Sequence, residues 1–155
     1  MAADFANQLR EEARPLLEPG EEILASIVAQ PRGTGVSRSG GGMGPQAVGQ
    51  VWAKKSRGKA EAAGLELTTP MALAISQNRL LVFRLETSAL GKPKGVKELL
   101  SSAPLSEVES ISIKRLLVGK VVTVALRDGE VKLEVGAGQD AKGLATQFER
   151  AKATA

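Results

Sequence analysis

The chain contains no cysteine, no histidine and no tyrosine among its 155 residues. Without cysteine it can form neither a disulfide framework nor a thiolate nucleophile. Without histidine it lacks the commonest metal ligand and the commonest general base of enzyme active sites. These absences exclude a large part of enzyme chemistry. We therefore expect a protein that binds, with no catalytic residue, no metal site and no cofactor.

Aromatic residues and long apolar runs are also scarce. Only four side chains are aromatic, although 43% of the chain is hydrophobic, so the core must be built from leucine, valine and isoleucine. No run of about 18 apolar residues is present, as a membrane-spanning helix would need. The first ten residues lack the basic and then apolar order of a signal peptide. The length suits one domain, and we expect a cytoplasmic protein.

Charge and glycine are distributed unevenly along the chain. The formal charge is +4, and residues 31–64 alone carry six basic residues and one acidic residue. Nine of the 17 glycines lie between positions 33 and 64. A segment of this composition buries too little apolar surface to offset its chain entropy. The sequence therefore predicts a mobile, basic insertion at residues 31–70.

Hydrophobic periodicity predicts a helix at each end of the chain. Over residues 3–17 the apolar side chains Phe5, Leu9, Ala13 and Leu16 fall near one helical stripe. The last element repeats the pattern with a stripe centred on Phe148. We expect this second stripe to pack into the core.

Seven segments between the two helices have the composition of strands. They are short, rich in valine, leucine and isoleucine, and bounded by turn residues. The sequence predicts a type II turn at residues 18–21, a tight turn at residues 77–79 in which Asn78 is able to take positive φ, and a hairpin turn at Asp128 and Gly129. The predicted strands are residues 23–29, 71–76, 80–86, 96–101, 107–115, 121–127 and 130–135.

Three short motifs resemble those of bacterial PH-like and GRAM-like domains, which share the pleckstrin-homology fold. They are PGEEIL at residues 19–24, AISQNRLLVF at residues 74–83, and PLSEV at residues 104–108. The second is similar to the family's TxxRL hairpin, with Ser76 in place of threonine. The resemblance covers residues 20–153. It implies a seven-stranded antiparallel barrel capped by the C-terminal helix, in which Phe148 replaces the tryptophan of eukaryotic members.

The resemblance places a basic segment, residues 54–59, between the first two strands. In lipid-binding PH domains that loop holds phosphorylated headgroups, and lysine and arginine are suited to phosphate. A nearby tryptophan can anchor a partner or lie at a membrane interface. The plainer interpretation, a solvated, solubilising loop with the tryptophan packed on the barrel, is favoured over each of these binding roles. Nucleic acid is the least favoured partner, because the interleaved aromatics that single-strand binders need for stacking are missing. The predicted binding residues are Trp52, Lys54, Lys55, Arg57 and Lys59.

Two motifs with catalytic or cofactor-binding precedents fail on context. GAGQDA at residues 136–141 has the spacing of a dinucleotide fingerprint, but it lacks the second strand and the later acid, so we interpret it as a strand-to-helix turn. Ser56 and Lys59 have the spacing of serine–lysine acylases but lie in the glycine-rich segment. Neither motif supports an enzyme.

We therefore expect an N-terminal helical extension at residues 1–18 and a PH-like domain at residues 19–153 that includes the insertion. The expected function is that of a non-enzymatic adaptor that recognises a protein partner and is able to self-associate. The alternative is a peripheral membrane module that binds anionic headgroups through residues 54–59. An enzyme is the third class.

Overall fold

A computed structural model describes residues 2–31, 71–89, 93–117, 119–127, 129–136 and 138–154. Residues 32–70, which make up almost all of the predicted insertion, lie outside these ranges. The expectation that the insertion is mobile is therefore untested. The described helices and strands are α1 (Ala2–Ala13), β1 (Ile23–Pro31), β2 (Met71–Ser76), β3 (Arg79–Thr87), β4 (Pro93–Pro104), β5 (Val108–Arg115), β6 (Lys120–Leu126), β7 (Gly129–Val135) and α2 (Ala141–Thr154).

The seven strands form one antiparallel sheet in the order β4-β3-β2-β1-β7-β6-β5. This confirms the predicted mainly β fold, with a seven-stranded antiparallel sheet and a helix at each end of the chain. The outermost strands, β4 and β5, are not paired with each other in the described ranges. The sheet is therefore not closed, and the predicted term barrel describes it only loosely.

One face of the sheet is covered by α2. The helix buries a stripe of four residues, at whose centre Phe148 has no exposed surface. Inward-facing residues of the sheet, among them Leu73 of β2 and Val122 of β6, belong to the same apolar cluster as this stripe. The expectation that the C-terminal helix packs into the core through Phe148 is confirmed. The buried residues of the helix are Ala141, Leu144, Phe148 and Ala151.

The opposite face of the sheet is covered by α1. Leu9 and Ala13 are buried in a second apolar cluster with Ala72 of β2 and Phe83 of β3. Since both faces are covered, all six residues of β2 are buried. The predicted stripe of α1 is wrong at its end, because the helix stops at Ala13 and a 3₁₀ turn over Arg14–Leu16 leaves Leu16 exposed.

The connection from α1 to β1 has the geometry that its sequence predicts. Gly20 has a φ of 79°, the left-handed value that the third residue of a type II turn requires. The Glu21 amide donates to the carbonyl oxygen of Glu18 at 3.0 Å and closes the turn. The predicted tight turn between β2 and β3 is present, but no described residue other than glycine has positive φ, so the turn does not use the left-handed conformation open to Asn78. There the Ser76 hydroxyl accepts the amide hydrogens of Asn78 and Arg79 instead.

Two strand boundaries differ from the prediction. Strand β4 begins at Pro93, although residues 89–95 are predicted as a loop. An edge strand tolerates proline and irregular pairing, and the β3–β4 ladder has three register shifts. The last hairpin is also displaced, because Gly129 pairs with Leu126 and already belongs to β7.

Candidate functional site

The structure does not place the predicted binding residues. All five lie in residues 32–70, outside the described ranges, so their predicted role is untested. The five predicted binding residues are Trp52, Lys54, Lys55, Arg57 and Lys59. Ser56, which shares the serine–lysine acylase spacing with Lys59, lies outside the described ranges as well.

A groove of about 410 Å³ lies where α1, β1 and the start of α2 meet. Its floor is the edge of β1 around Ser26, and Arg10 projects from α1. The third wall is the turn from β7 into α2, which includes Gly138 and Gln139. The turn confirms the interpretation of residues 136–141 as a strand-to-helix connection, because β7 ends at Val135 and α2 begins at Ala141. The remaining lining residues are Ala6, Leu24, Ala25, Asp140, Gly143 and Gln147.

The groove exists because β7 follows β1 over only part of its length. The β1–β7 register covers Ala29, Gln30 and Pro31, whereas the β1–β2 register extends back to Ile23. The first six residues of β1 therefore have a neighbouring strand on one side only. In the middle of a seven-stranded sheet, this leaves a short open strand edge.

Side chains replace the missing strand at two points along that edge. The amide of Val28 donates to Oε1 of Gln139 at 3.0 Å. The carbonyl oxygen of Leu24 accepts from Nη2 of Arg10 at 3.3 Å. Both backbone groups therefore lie on the side of β1 away from β2. Val28 belongs to the regular part of the β1–β2 ladder, whereas Leu24 lies at the register shift between Ile23 and Ala25.

Ser26 lies between these two points and completes the same alternating set. Its amide and carbonyl groups therefore also point away from β2, toward the groove. Among the described residues, β7 does not pair with Ser26, and the side-chain hydrogen bonds of this edge go to Leu24 and Val28. A backbone donor and a backbone acceptor are thus both available at one position of the groove floor.

Charge differs between the two helical walls. Arg10 on the α1 side is exposed and has no ion-pair partner in the described ranges, unlike Arg14, which pairs with Glu11. Asp140 on the α2 side accepts the Gly143 amide at 2.9 Å and so caps the helix N-terminus. Among the described lining residues, Arg10 is therefore the charged side chain that neither pairs with an opposite charge nor caps a helix.

A second polar cluster lies beneath the turn that precedes β1. Glu21 accepts two hydrogen bonds from Arg79, Oε2 from Nε and Oε1 from Nη2, each at 2.8 Å. The Ser76 hydroxyl donates to Oε2 of Glu21 at 2.6 Å, and the Glu18 amide donates to Oε1 at 3.0 Å. Each oxygen of the Glu21 carboxylate therefore accepts two hydrogen bonds from other groups of the protein.

These contacts hold the pKa of Glu21 at about 2, below its ordinary value of 4.5. The largest cause is the hydrogen bonding of Arg79, which outweighs the opposing effect of burial. The Arg79 pKa is raised, chiefly by hydrogen bonding to Glu21. Perturbed pKa values often mark functional sites. Here the carboxylate is fully buried and fully partnered, and it ties the β1 turn to the β2–β3 hairpin, so we assign the cluster a structural role.

Two further observations concern metals and membranes. The described residues contain no group of three acidic side chains placed to hold a metal ion. In the same ranges, neither helix combines the length and apolar content needed to cross a membrane.

Sequence reasoning did not identify the groove. Its floor depends on where β7 departs from β1, and such a tertiary relation leaves no local pattern. One signal was present: Gly138 and Gln139 belong to the glycine-rich turn that the motif search singled out. The sequence predicted a strand-to-helix connection there, and that prediction did not indicate that the turn would line a groove.

Comparisons with known proteins provide no further guide. No protein-family model matches the chain, and no curated protein matches it.

Proposed function

We propose that the protein is a non-enzymatic, cytoplasmic binding module of PH-like fold that recognises a segment of a partner protein. The groove between α1, β1 and α2 is the proposed recognition site. The observation that carries the proposal is the open edge of β1, with the amide and carbonyl groups of Ser26 directed into the groove.

A protein segment suits this groove because it brings matching backbone groups. Polypeptide backbones offer a donor and an acceptor at every residue other than proline, and open sheet edges commonly accept them. An open edge inside a groove is also shielded from the edge-to-edge pairing that exposed strands risk. The groove volume of about 410 Å³ has room for a few residues of a partner.

The test selects ligands from a random peptide library displayed on phage, with the purified protein as bait. Gly138 lines the groove, and an added Cβ there would meet nothing within 4 Å. Gly138→Phe should therefore obstruct the groove and weaken the selected peptides at least tenfold. Gly136→Phe is the matched control, because Gly136 has equal space but does not line the groove.

Two results would contradict the proposal. One is a selection that enriches no peptide, and the other is a set of peptides that binds both glycine variants equally well. Light scattering on the free protein separates recognition of a partner from self-association. If concentration-dependent dimers form and Gly138→Phe abolishes them, the groove holds a second copy of this chain instead.

A peripheral membrane module is the second candidate, favoured by the β5–β6 hairpin. Leu117 at its tip is fully exposed. Residues 110–120 contain three basic residues and no acidic residue. An exposed apolar tip among cations is suited to an anionic membrane surface. This candidate does not depend on residues 54–59, the basic segment predicted from the sequence to bind anionic headgroups.

Co-sedimentation with vesicles of phosphatidylcholine and phosphatidylserine tests the membrane candidate at two salt concentrations. Leu117→Ser should lower binding roughly tenfold if the tip enters the interface, since each buried methylene contributes about 0.8 kcal/mol. Leu16→Ser, at the other exposed large apolar residue of the described ranges, is the control. Loss of binding only on changing Lys54, Lys55, Arg57 and Lys59 together to alanine would assign the contact to the basic loop instead. Absence of binding at low salt would exclude both.

A further inference from the structure

We infer that the segment bound in the groove is extended and acidic: it pairs through its backbone with Ser26 and places a carboxylate on Arg10. This inference rests on the proposed function and adds the chemistry of the partner. It follows from the spacing of three groups along one strand edge, namely Leu24, Ser26 and Val28.

The backbone of Ser26 sets the conformation of the ligand. One amide and one carbonyl that point the same way from a strand match a single residue of an antiparallel partner, which exchanges both hydrogen bonds with it. A helical segment has no free backbone donor and acceptor at one interior position, because its own ladder uses them. The ligand must therefore be extended where it meets Ser26.

The groups on either side limit the length of this pairing. Gln139 already satisfies the Val28 amide, and Arg10 already contacts the Leu24 carbonyl. Within the described part of the chain, the edge therefore offers a full pair of backbone hydrogen bonds at Ser26, between these two occupied positions. A short contact of this kind needs a second interaction to provide affinity and direction.

Arg10 supplies that second interaction. Its guanidinium lies at Leu24, two residues along the strand from Ser26, which corresponds to about 7 Å. Of its five donors, the described contacts use one, at the long distance of 3.3 Å, and no acid pairs with it there. A ligand residue two positions from the one paired with Ser26 therefore meets an unpaired cation. The fitting group is an acidic side chain or a terminal carboxylate.

The opposite wall favours the same orientation. The hydrogen bond from the Gly143 amide holds the Asp140 carboxylate at the start of α2. There it would repel an acidic group of the ligand placed against α2. A ligand carboxylate is therefore favoured toward α1 and disfavoured toward α2. Among the described residues that line the groove, Arg10 and Asp140 are the two charged side chains.

The first experiment scans the selected peptides by N-methylation of one backbone amide at a time. Binding should fall at least tenfold at the residue that pairs with Ser26, because the methyl group removes the donor and blocks the close approach. The two flanking amides should tolerate the change, since in an extended chain they point the other way. A uniform response along the peptide, or none at all, would overturn the strand pairing.

The second experiment combines changes on both sides of the proposed ion pair. Arg10→Gln in the protein and Glu→Gln or Asp→Asn in the peptide should each weaken binding about fivefold, as expected for a partly exposed charge pair. The double change should weaken it no further, and raised salt should reduce the difference. Arg14→Gln is the control, because Arg14 belongs to the turn after α1 and does not line the groove.

The outcomes separate this inference from the proposed function. Peptides that respond to Gly138→Phe but lack an acidic residue, or that ignore Arg10→Gln, would keep the groove as the binding site and overturn the carboxylate contact. Peptides that tolerate every N-methylation would overturn the extended conformation. Failure to select any peptide would contradict the proposed function itself.

Discussion

The Glu21 carboxylate shows how one buried charge is stabilised in this protein. Its side chain has no exposed surface, and removing a charge from water costs several kcal/mol unless partners replace the solvent. Arg79, Ser76 and the Glu18 amide are those partners. Oε1 of Glu18 also lies 3.5 Å from Nε of Arg79, but the side chain of Glu18 is 63% exposed. The two carboxylates therefore differ in burial and in the number of hydrogen bonds that they accept.

That difference gives a matched pair of substitutions. Glu21→Gln leaves Arg79 without its buried partner and should lower the free energy of unfolding by about 3 kcal/mol. Glu18→Gln removes the same charge near the same guanidinium and should cost less than about 1 kcal/mol. Urea denaturation of both variants checks this prediction. Equal effects would mean that the network does not stabilise the fold through its burial.

Stability should depend on pH through the same residue. The pKa of Glu21 is about 2 in the folded protein and 4.5 as the ordinary value. A lowered folded pKa stabilises the protein above the unfolded pKa and loses that effect as pH falls through the folded value. The gap in unfolding free energy between wild type and Glu21→Gln should thus be full above about pH 5.5 and narrow steadily toward pH 2. A gap that stays constant over this range would contradict the ion pair.

At the scale of elements, the two helices cover opposite faces of one sheet. The face under α1 is formed by Ala72 and Ala74 of β2 with the larger Phe83 of β3. Leu9 of α1 belongs to the same apolar cluster and is buried, and the strands closest to the helix are β4 and β1. The residues 1–18 predicted as an extension thus include a helix that contributes to the core.

The α1 contact predicts a loss of stability from a single truncation. Leu9→Ala should lower the free energy of unfolding by about 2–5 kcal/mol, as for other buried leucines. Asn7→Ala, at an exposed position of the same helix, should not lower it. Thermal or chemical denaturation compares the two. If Leu9→Ala melts like the wild type, α1 is not part of the folded core.

The corresponding test for α2 uses its aromatic residue. Phe148 is fully buried, and Phe148→Ala should cost about 3–5 kcal/mol through lost burial and a residual cavity. Glu149→Ala, at the next and exposed position, should change stability by less than about 0.5 kcal/mol. A melting temperature unaffected by Phe148→Ala would contradict the packing of α2 on the sheet.

For the whole molecule, sequence pattern predicted the elements better than their spatial relations. Strand composition and turn chemistry predicted seven strands and two helices, because local preferences and the global fold agree at positions such as Gly20 and Phe148. The open sheet was not predicted, since strand composition does not reveal whether β4 and β5 meet. The groove was missed for the same reason: the departure of β7 from β1 after Ala29 is a tertiary feature with no local sequence signal.

The proposed function depends on this tertiary feature more than on any residue type. A strand edge that stays open within a sheet offers backbone groups to a partner without exposing a long free edge to aggregation. Ser26 is the position where this edge has no replacement for the missing strand among the described residues. The central claim is therefore that the Ser26 amide is free until a partner segment pairs with it.

Amide hydrogen exchange followed by NMR at Ser26, Ala25 and Ile27 tests that claim most directly. All three residues lie opposite β2, but alternation along the strand directs the amides of Ala25 and Ile27 toward β2 and that of Ser26 away from it. The amides of Ala25 and Ile27 should therefore exchange slowly, whereas that of Ser26 should exchange roughly a hundredfold faster than both in the free protein. Addition of a peptide selected on the groove should then slow exchange at Ser26 and leave its two neighbours unchanged. If the Ser26 amide of the free protein is as well protected as that of Ile27, the edge is not open and the proposed mode of recognition is wrong.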